Sequence, residues 1–434
     1  MLRGPEMSGL RVVLCSSLLL MPTALNTRAL AQSASAQQEI TRLAATPAVH
    51  EAFEQLQKQE PELRRFQTEL VKVAAPPFGE GKRAEWLAKK LRELGLKEVE
   101  IDKAGNVTAV RPGTDGKAKL VAVSAHIDTV FPADTAVNPR TEGNRIYGPG
   151  VSDNGAGVTA IYAIASALEV AGIRNRAGIL FVGNVGEEGE GDLRGMRFLF
   201  AESKYKNHIG PTLVLDGAGT DSIVTQALGS RRYEVTVRGP GGHSWTDFGT
   251  PNPIVALANA IADFSATDVP SDPKTSFNIG VIQGGTSVNS IPESASMRVD
   301  IRSASDDQME KLEAALRQAV AKAVREAQDT RAGKKPTLTS EMKLIGSRPA
   351  AELKRESRIL EIVRAADAHL GLKTQIRRAS TDANVPLSLG KEAVSIGAGG
   401  TGGGAHTVKE WYDPSGRDVG LKRILLTVLA LAGT

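Results

Sequence analysis

Seven side chains of this 434-residue chain stand at the ends of apolar runs or at a helix start, where their chemistry could converge. His126 and Asp128 follow LVAVSA, Glu187 and Glu188 follow GILFVGNV, Asp216 follows PTLVL, and His406 follows AVSIGAGGTGGGA. Asp153 lies in GPGVSDNGAG. Adjacent carboxylates such as Glu187 and Glu188 repel one another and resist desolvation, so beside a buried strand they need a positive partner. Two imidazoles and several carboxylates in one dry pocket suit divalent cations, most naturally two ions sharing a bridging carboxylate and a water. Water on such an ion can have its pKa lowered to ~7. One glutamate of the pair then reads as a ligand and its neighbour as the base.

Taken singly, each residue has a plainer reading. Asp153 could cap a helix, Asp128 could be a turn residue, and Asp216-Gly217 is a common turn dipeptide. A lone histidine is more often structural than a ligand. Together, in a chain with only six histidines, the shared strand-end context points to convergence, because ligand sites of open α/β sheets gather at the carboxyl ends of the strands.

The elements that must position these residues follow from periodicity. VHEAFEQLQKQEPELRRFQTELVKVA and KRAEWLAKKLRELGL read as amphipathic helices, followed by strands at KEVEID, NVTAVRPG and KLVAVSAHIDT. GAGVTAIYAIASALEVAG (helix), AGILFVGNV (strand), GMRFLFAESK (helix) and PTLVLDG (strand) then predict an α/β layer with a mixed, largely parallel sheet. From residue 229 the order becomes β-α-β-β-α-β, ending near PTLTSEMKLIG, which predicts an inserted α+β, ferredoxin-like unit. The α/β pattern resumes at 347. The expected division is thus a segment 1–31 set aside, a catalytic domain split into 32–228 and 347–434, and an inserted domain over 229–346.

Residues 1–31 carry an arginine-bearing start, the apolar stretch Val12–Leu25 and the small-residue tripeptide Ala29-Leu30-Ala31. They read as a secretory signal peptide, with export to the periplasm the expected destination. A retained anchor is the rival reading, against which stand the shortness of the stretch and its interruption by Pro22 and two serines. Cys15 is the only cysteine, so the mature chain has no disulfide and any metal must use His, Asp and Glu. Three arginines and one glutamate leave with residues 1–31, which reduces the formal charge from +4 to +2. That mild excess, with 4% aromatics, excludes a nucleic-acid footprint.

On SAHIDTV, GPGVSDNGAG, GEEGEGDLRG and LDG, in that order and spacing, the chain resembles the dinuclear zinc hydrolases that include peptidase T, glutamate carboxypeptidase, aminoacylase and succinyl-diaminopimelate desuccinylase. The similarity runs from about residue 60 to the C-terminus. It implies that His126 and Asp216 hold one zinc, Glu188 and His406 the other, and Asp153 bridges both, with cobalt or manganese as substitutes. It further implies that Asp128 orients His126 and that Glu187 is the general base of amide hydrolysis. The inserted domain resembles the family's lid and dimerisation domain. There His243 of GPGGHSW corresponds to a donor to the oxyanion, often across a homodimer interface, while Asn289 and Arg302 match positions near the oxyanion and the substrate carboxylate. After Asp153 this chain has Asn154-Gly155 where many relatives carry an acidic residue and a lysine, which puts transfer of any one relative's specificity in doubt. STDANVPLSLG and GTGGGAHTVKEWYD look most like peptidase T, whereas HIDTVFP and RIYGPG also occur among carboxypeptidase-like members.

Three functions stay open at this level: an exopeptidase for short peptides, an N-acyl amino acid amidohydrolase with the same ligands, and a non-catalytic binding protein on this fold. A binder has no need of a base at Glu187.

Overall fold

Strands that are apolar at nearly every position need both faces covered, and the chain supplies that cover with helices. The computed structural model describes Met1 and residues 34–328 and 338–434. The export segment expected at 1–31 therefore lies, apart from Met1, outside the described residues. The strands Leu120–His126 and Ile179–Asn184 form the centre of a nine-stranded sheet and are buried almost throughout. They run parallel, in register from Val121 beside Ile179 to His126 beside Asn184. Ile209–Leu215 and Ala393–Ile396 continue the parallel set. The margins are mixed, with antiparallel pairing at Lys97–Ile101, Val107–Arg111 and Ala351–Glu352, and with Gln375–Ala379 parallel to Ser222–Ala227.

Parallel direction in the central four strands has a direct consequence. All four release the chain at one edge, so the residues after positions 126, 184, 215 and 396 leave the sheet on the same side. The helix Gly155–Val170 packs against the sheet and is buried from Gly155 to Leu168, because alanine, valine and isoleucine occupy all its faces rather than one stripe. Helices Pro47–Lys58, Glu60–Lys72 and Arg417–Ala432 enclose it.

Residues 229–348 build a separate four-stranded antiparallel sheet in the order Thr275–Gly284, Ser294–Ser303, Gly229–Arg238, Thr339–Arg348. Helices Pro253–Ser265 and Asp306–Gln328 cover the face that carries Tyr233, Val235 and Val237, giving this unit its own core. This is the ferredoxin-like arrangement. Among the described residues no helix is long and apolar enough to cross a membrane.

Several elements escape the sequence reading, among them the strands Ser222–Ala227 and Gln375–Ala379 and the helix Arg417–Ala432. Thr401–Gly403, within the stretch expected to be a glycine-rich loop, is a strand of a small sheet with Trp411–Asp413, Arg145–Tyr147 and Arg140–Glu142. Three-residue strands with glycine in them are held by backbone pairing and show no side-chain alternation to read.

Candidate metal centre

The loops leaving the parallel strands bring the predicted acids and imidazoles together around Asp153. One of its carboxylate oxygens lies 3.1 Å from Nε2 of His126 and the other 3.1 Å from Nε2 of His406. Asp216 Oδ1 is 3.9 Å from the same nitrogen of His126, and Glu188 Oε1 is 3.1 Å from that of His406. Ligand atoms of His126, Asp153 and Asp216 form one close set and those of Asp153, Glu188 and His406 a second, with His126, Glu187 and Glu188 a third. Two three-donor sets thus share one carboxylate.

The electrostatics match that donor set. Burial works against a charged imidazole at His126, yet Asp128, Asp153 and Asp216 outweigh it and push the ring well above its ordinary value. The hydrogen bond to Asp153, with Glu188 beside it, pushes His406 up to about 9. Asp153 is burdened by burial but held below the usual carboxylate range by the two imidazoles. Such a concentration of carboxylates draws positive charge to itself, and divalent cations supply it more densely than protons do. Nitrogen and oxygen donors without thiolate suit zinc, cobalt or manganese.

The supports of the cluster explain how these loops hold their shape. Asp128 is buried, and its oxygens accept the main-chain N–H groups of Glu187 (3.1 Å) and Glu188 (2.8 Å). His126 Nδ1 lies 3.1 Å from the main-chain carbonyl of Asp128 and 3.7 Å from its carboxylate. Asp128 therefore braces the imidazole chiefly through its backbone, and its side chain ties down the glutamate pair. Asn154 accepts from the N–H groups of Gly157 and Gly217 and donates to the carbonyl of Leu215, linking the Asp153 and Asp216 loops. His406 has φ of 64°, in the left-handed region, where a non-glycine residue is strained.

Glu187 is buried, and burial raises its carboxyl well above the ordinary range against the pull of the Arg348 guanidinium, which lies 2.8 Å from Oε1. Burial also raises Glu188. Three further groups belong to the site and were not singled out from the sequence. Asp382, fully buried, accepts a hydrogen bond from Asn184 at 2.6 Å, and burial pushes it up to about 7. Glu410 accepts from the N–H groups of Gly150 (2.8 Å), Ser152 (2.7 Å) and Asp153 (2.8 Å). Its spacing four residues past His406 was the available signal. Arg348 had none, since it reaches Glu187 across 161 positions.

Among the described residues, the inserted unit's His243, Asn289 and Arg302 make no hydrogen bond or ion pair with the cluster. His243 is exposed, and its Nδ1 accepts from the N–H groups of Trp245 and Thr246. Exposed Asn289 accepts from Ser287 Oγ at 2.5 Å. Arg302 pairs with Asp300 at 2.6 Å, a salt bridge along its own strand. Asp300 also holds Arg232, whose guanidinium reaches the Gly189 carbonyl at 2.7 Å. Beside Asp153 and Asp216 a cavity of about 560 Å³ opens, walled by Gly217, Gly402, Gly403 and Gly404.

Residues 122–430 match the model of peptidase family M20/M25/M40. Carboxypeptidase G2 of Pseudomonas sp. (strain RS-16) is 25% identical over 235 residues, covering 51% of this chain and 54% of that protein. Succinyl-diaminopimelate desuccinylase of Burkholderia cenocepacia is 27% identical over 247 residues, covering 52% and 65%. The chain thus spans between half and two-thirds of the length of these curated relatives. The crystal structure of aminopeptidase PepT from Bacillus cereus superposes with a TM-score of 0.68 at 22% identity, covering 86% of this chain and 98% of that one, which shows a shared fold.

Proposed function

The chain belongs to peptidase family M20/M25/M40, a family of peptidases and amidohydrolases, and on that footing we propose a metal-dependent exopeptidase that hydrolyses amide bonds of short peptides with two zinc ions. One observation carries the reading: the two oxygens of Asp153 face two different histidines, each completed to a three-donor set by a second carboxylate. In this reading His126 and Asp216 hold one ion, Glu188 and His406 the other, and Asp153 bridges them.

The ions would supply Lewis acidity, lowering the pKa of water and polarising the scissile carbonyl. The remaining chemistry belongs to the chain. Glu187, raised by burial and next to the donor sets, accepts the attacking water's proton and delivers it to the leaving amine. Main-chain groups of Gly217 and Gly402–Gly404 let the substrate backbone approach closely along the cavity wall. Donation to the oxyanion falls to His243, and Asn289 and Arg302 contact substrate. For His243 this requires a second copy or closure of the inserted unit, and the exposed Trp245 and Val288 on that unit suit a homodimer contact. Residues 1–31 support secretion, with the periplasm as destination.

The test is chelation of the purified protein followed by zinc, cobalt or manganese add-back, assayed on di- and tripeptides with free and blocked ends and on N-acyl amino acids. Cleavage of free peptides that depends on added metal supports the reading, and exclusive turnover of N-acyl amino acids replaces it with a deacylase. Glu187→Gln is expected to retain metal and lose roughly 100- to 10,000-fold in turnover, the range of a general base. Full activity in that variant would remove Glu187 from the role.

A further inference from the structure

Two chain crossings join the inserted unit to the large sheet, one at Leu228–Gly229 and the other at Arg348–Pro349. A single buried side chain ties them together: Asn384 Nδ2 donates to the carbonyls of Leu228 (2.9 Å) and Pro349 (3.0 Å), and its Oδ1 accepts from the N–H of Thr381 at 2.9 Å. The residue before Arg348 is held from the other side. Ser347 N–H donates to Asp192 Oδ1 at 2.8 Å, and the Ser347 carbonyl accepts from Arg197. The return crossing is thus pinned to the catalytic unit at a pivot, where any reorientation of the inserted unit displaces atoms least.

Arg348 points from that pivot into the site. Nη1 lies 2.8 Å from Glu187 Oε1 and 3.1 Å from Ser380 Oγ, and Nη2 donates to the main-chain carbonyl of Glu187. The guanidinium therefore grips the carboxylate and the backbone of one residue at once, which constrains the whole side chain between them. Among the described residues no hydrogen bond is made to the other carboxylate oxygen, Oε2. Arg348 and Glu187 are only 7% and 8% exposed at their side chains. Burying such a pair is costly and does not by itself explain its presence as a source of stability.

We propose that Arg348 is the positioning residue of Glu187, fixing its carboxylate through Oε1 from the pinned crossing so that Oε2 is the oxygen left to take up the proton. The inference rests on the reading of Glu187 as the base. An ammonium offers no fork, so lysine at 348 can hold one of the two Glu187 acceptors at a time.

The experiment is a double-substitution cycle on the zinc-loaded full chain, comparing parent, Arg348→Ala, Glu187→Gln and the double variant, with Arg348→Lys alongside. Zinc content and melting temperature are measured on each. Arg348→Ala is expected to lose about 30- to 100-fold in kcat, with KM changed less than about twofold and zinc content unchanged. Arg348→Lys should fall between it and the parent. In the Glu187→Gln background, removal of Arg348 should cost less than about twofold more, because residues that act as a unit are non-additive. Unchanged kcat in Arg348→Ala, loss of zinc, or the same loss in both backgrounds would overturn the proposal. Should the alanine variant not fold, the cycle is run with lysine, and the same criteria apply. A fully active Glu187→Gln would instead overturn the base assignment, so the two failures are distinct.

Discussion

Replacing Glu410 by glutamine tests whether the shape of the Asp153 loop, and not only its ligands, sets metal affinity. The Glu410 carboxylate is fully buried and accepts three main-chain N–H groups, two on Oε1 from Ser152 and Asp153 and one on Oε2 from Gly150. Glutamine preserves the shape but turns one oxygen into an N–H₂ donor. If its remaining oxygen serves Ser152 and Asp153, the N–H of Gly150 faces another donor. The buried Gly150 N–H is then left without an acceptor, at a cost of about 1–3 kcal/mol. A loss of about 2 kcal/mol borne by the loop alone corresponds to a roughly 30-fold weaker Kd for zinc. Alanine would strand all three buried donors at about 1–3 kcal/mol each, enough to threaten a fold whose stability is of order 5–15 kcal/mol, so glutamine is the informative change. The assay is competitive zinc titration of the metal-stripped protein against a chromogenic chelator, with melting measured in parallel. If Glu410→Gln bound zinc and melted like the parent, the argument that this carboxylate shapes the centre would fail.

His126→Ala and His406→Ala should each lose at least one zinc per chain, read by metal analysis after dialysis, and two retained ions in either variant would refute the donor assignment. Asp382, pushed up to about 7, lies above its ordinary 3.8, so the stability gained from its proton is complete below pH 3.8 and lost as pH rises through about 7. Metal-free Asp382→Asn lacks this loss, and its melting temperature should gain on the parent's between about pH 5 and about pH 8; parallel curves would contradict the burial argument. Asp367 pairs with the fully buried Arg423 at 2.5 and 3.0 Å. Asp367→Ala strands that guanidinium and should cost about 3–5 kcal/mol in urea unfolding, whereas a change under about 1 kcal/mol would show that the site relaxes.

The candidate metal cluster was legible because its acids and imidazoles follow apolar runs that read as buried strands, and parallel strands deliver their ends to one edge. The bracing around it was less so. Glu410 was not singled out, because its role depends on the small sheet that sets it against the N–H groups of Gly150, Ser152 and Asp153. Asp382 lay in STDAN, a quoted stretch whose acid gave no hint of full burial. Asp128 lies against His126 through its carbonyl and carboxylate, and the same carboxylate also holds the Glu187 and Glu188 amides, a second contact that spacing did not reveal.

Local chemistry and periodicity, both written in the chain, determined the central buried strands, the β-α-β-β-α-β order of the ferredoxin-like unit, and which residue types could hold a cation. Only the tertiary structure decided that Asn384 ties both crossings and that Arg348 meets Glu187. The reason is physical. A strand's hydrophobic pattern is set by its own few neighbours, but a hydrogen bond between positions 187 and 348 depends on how two separately formed cores are docked, and no local pattern encodes that.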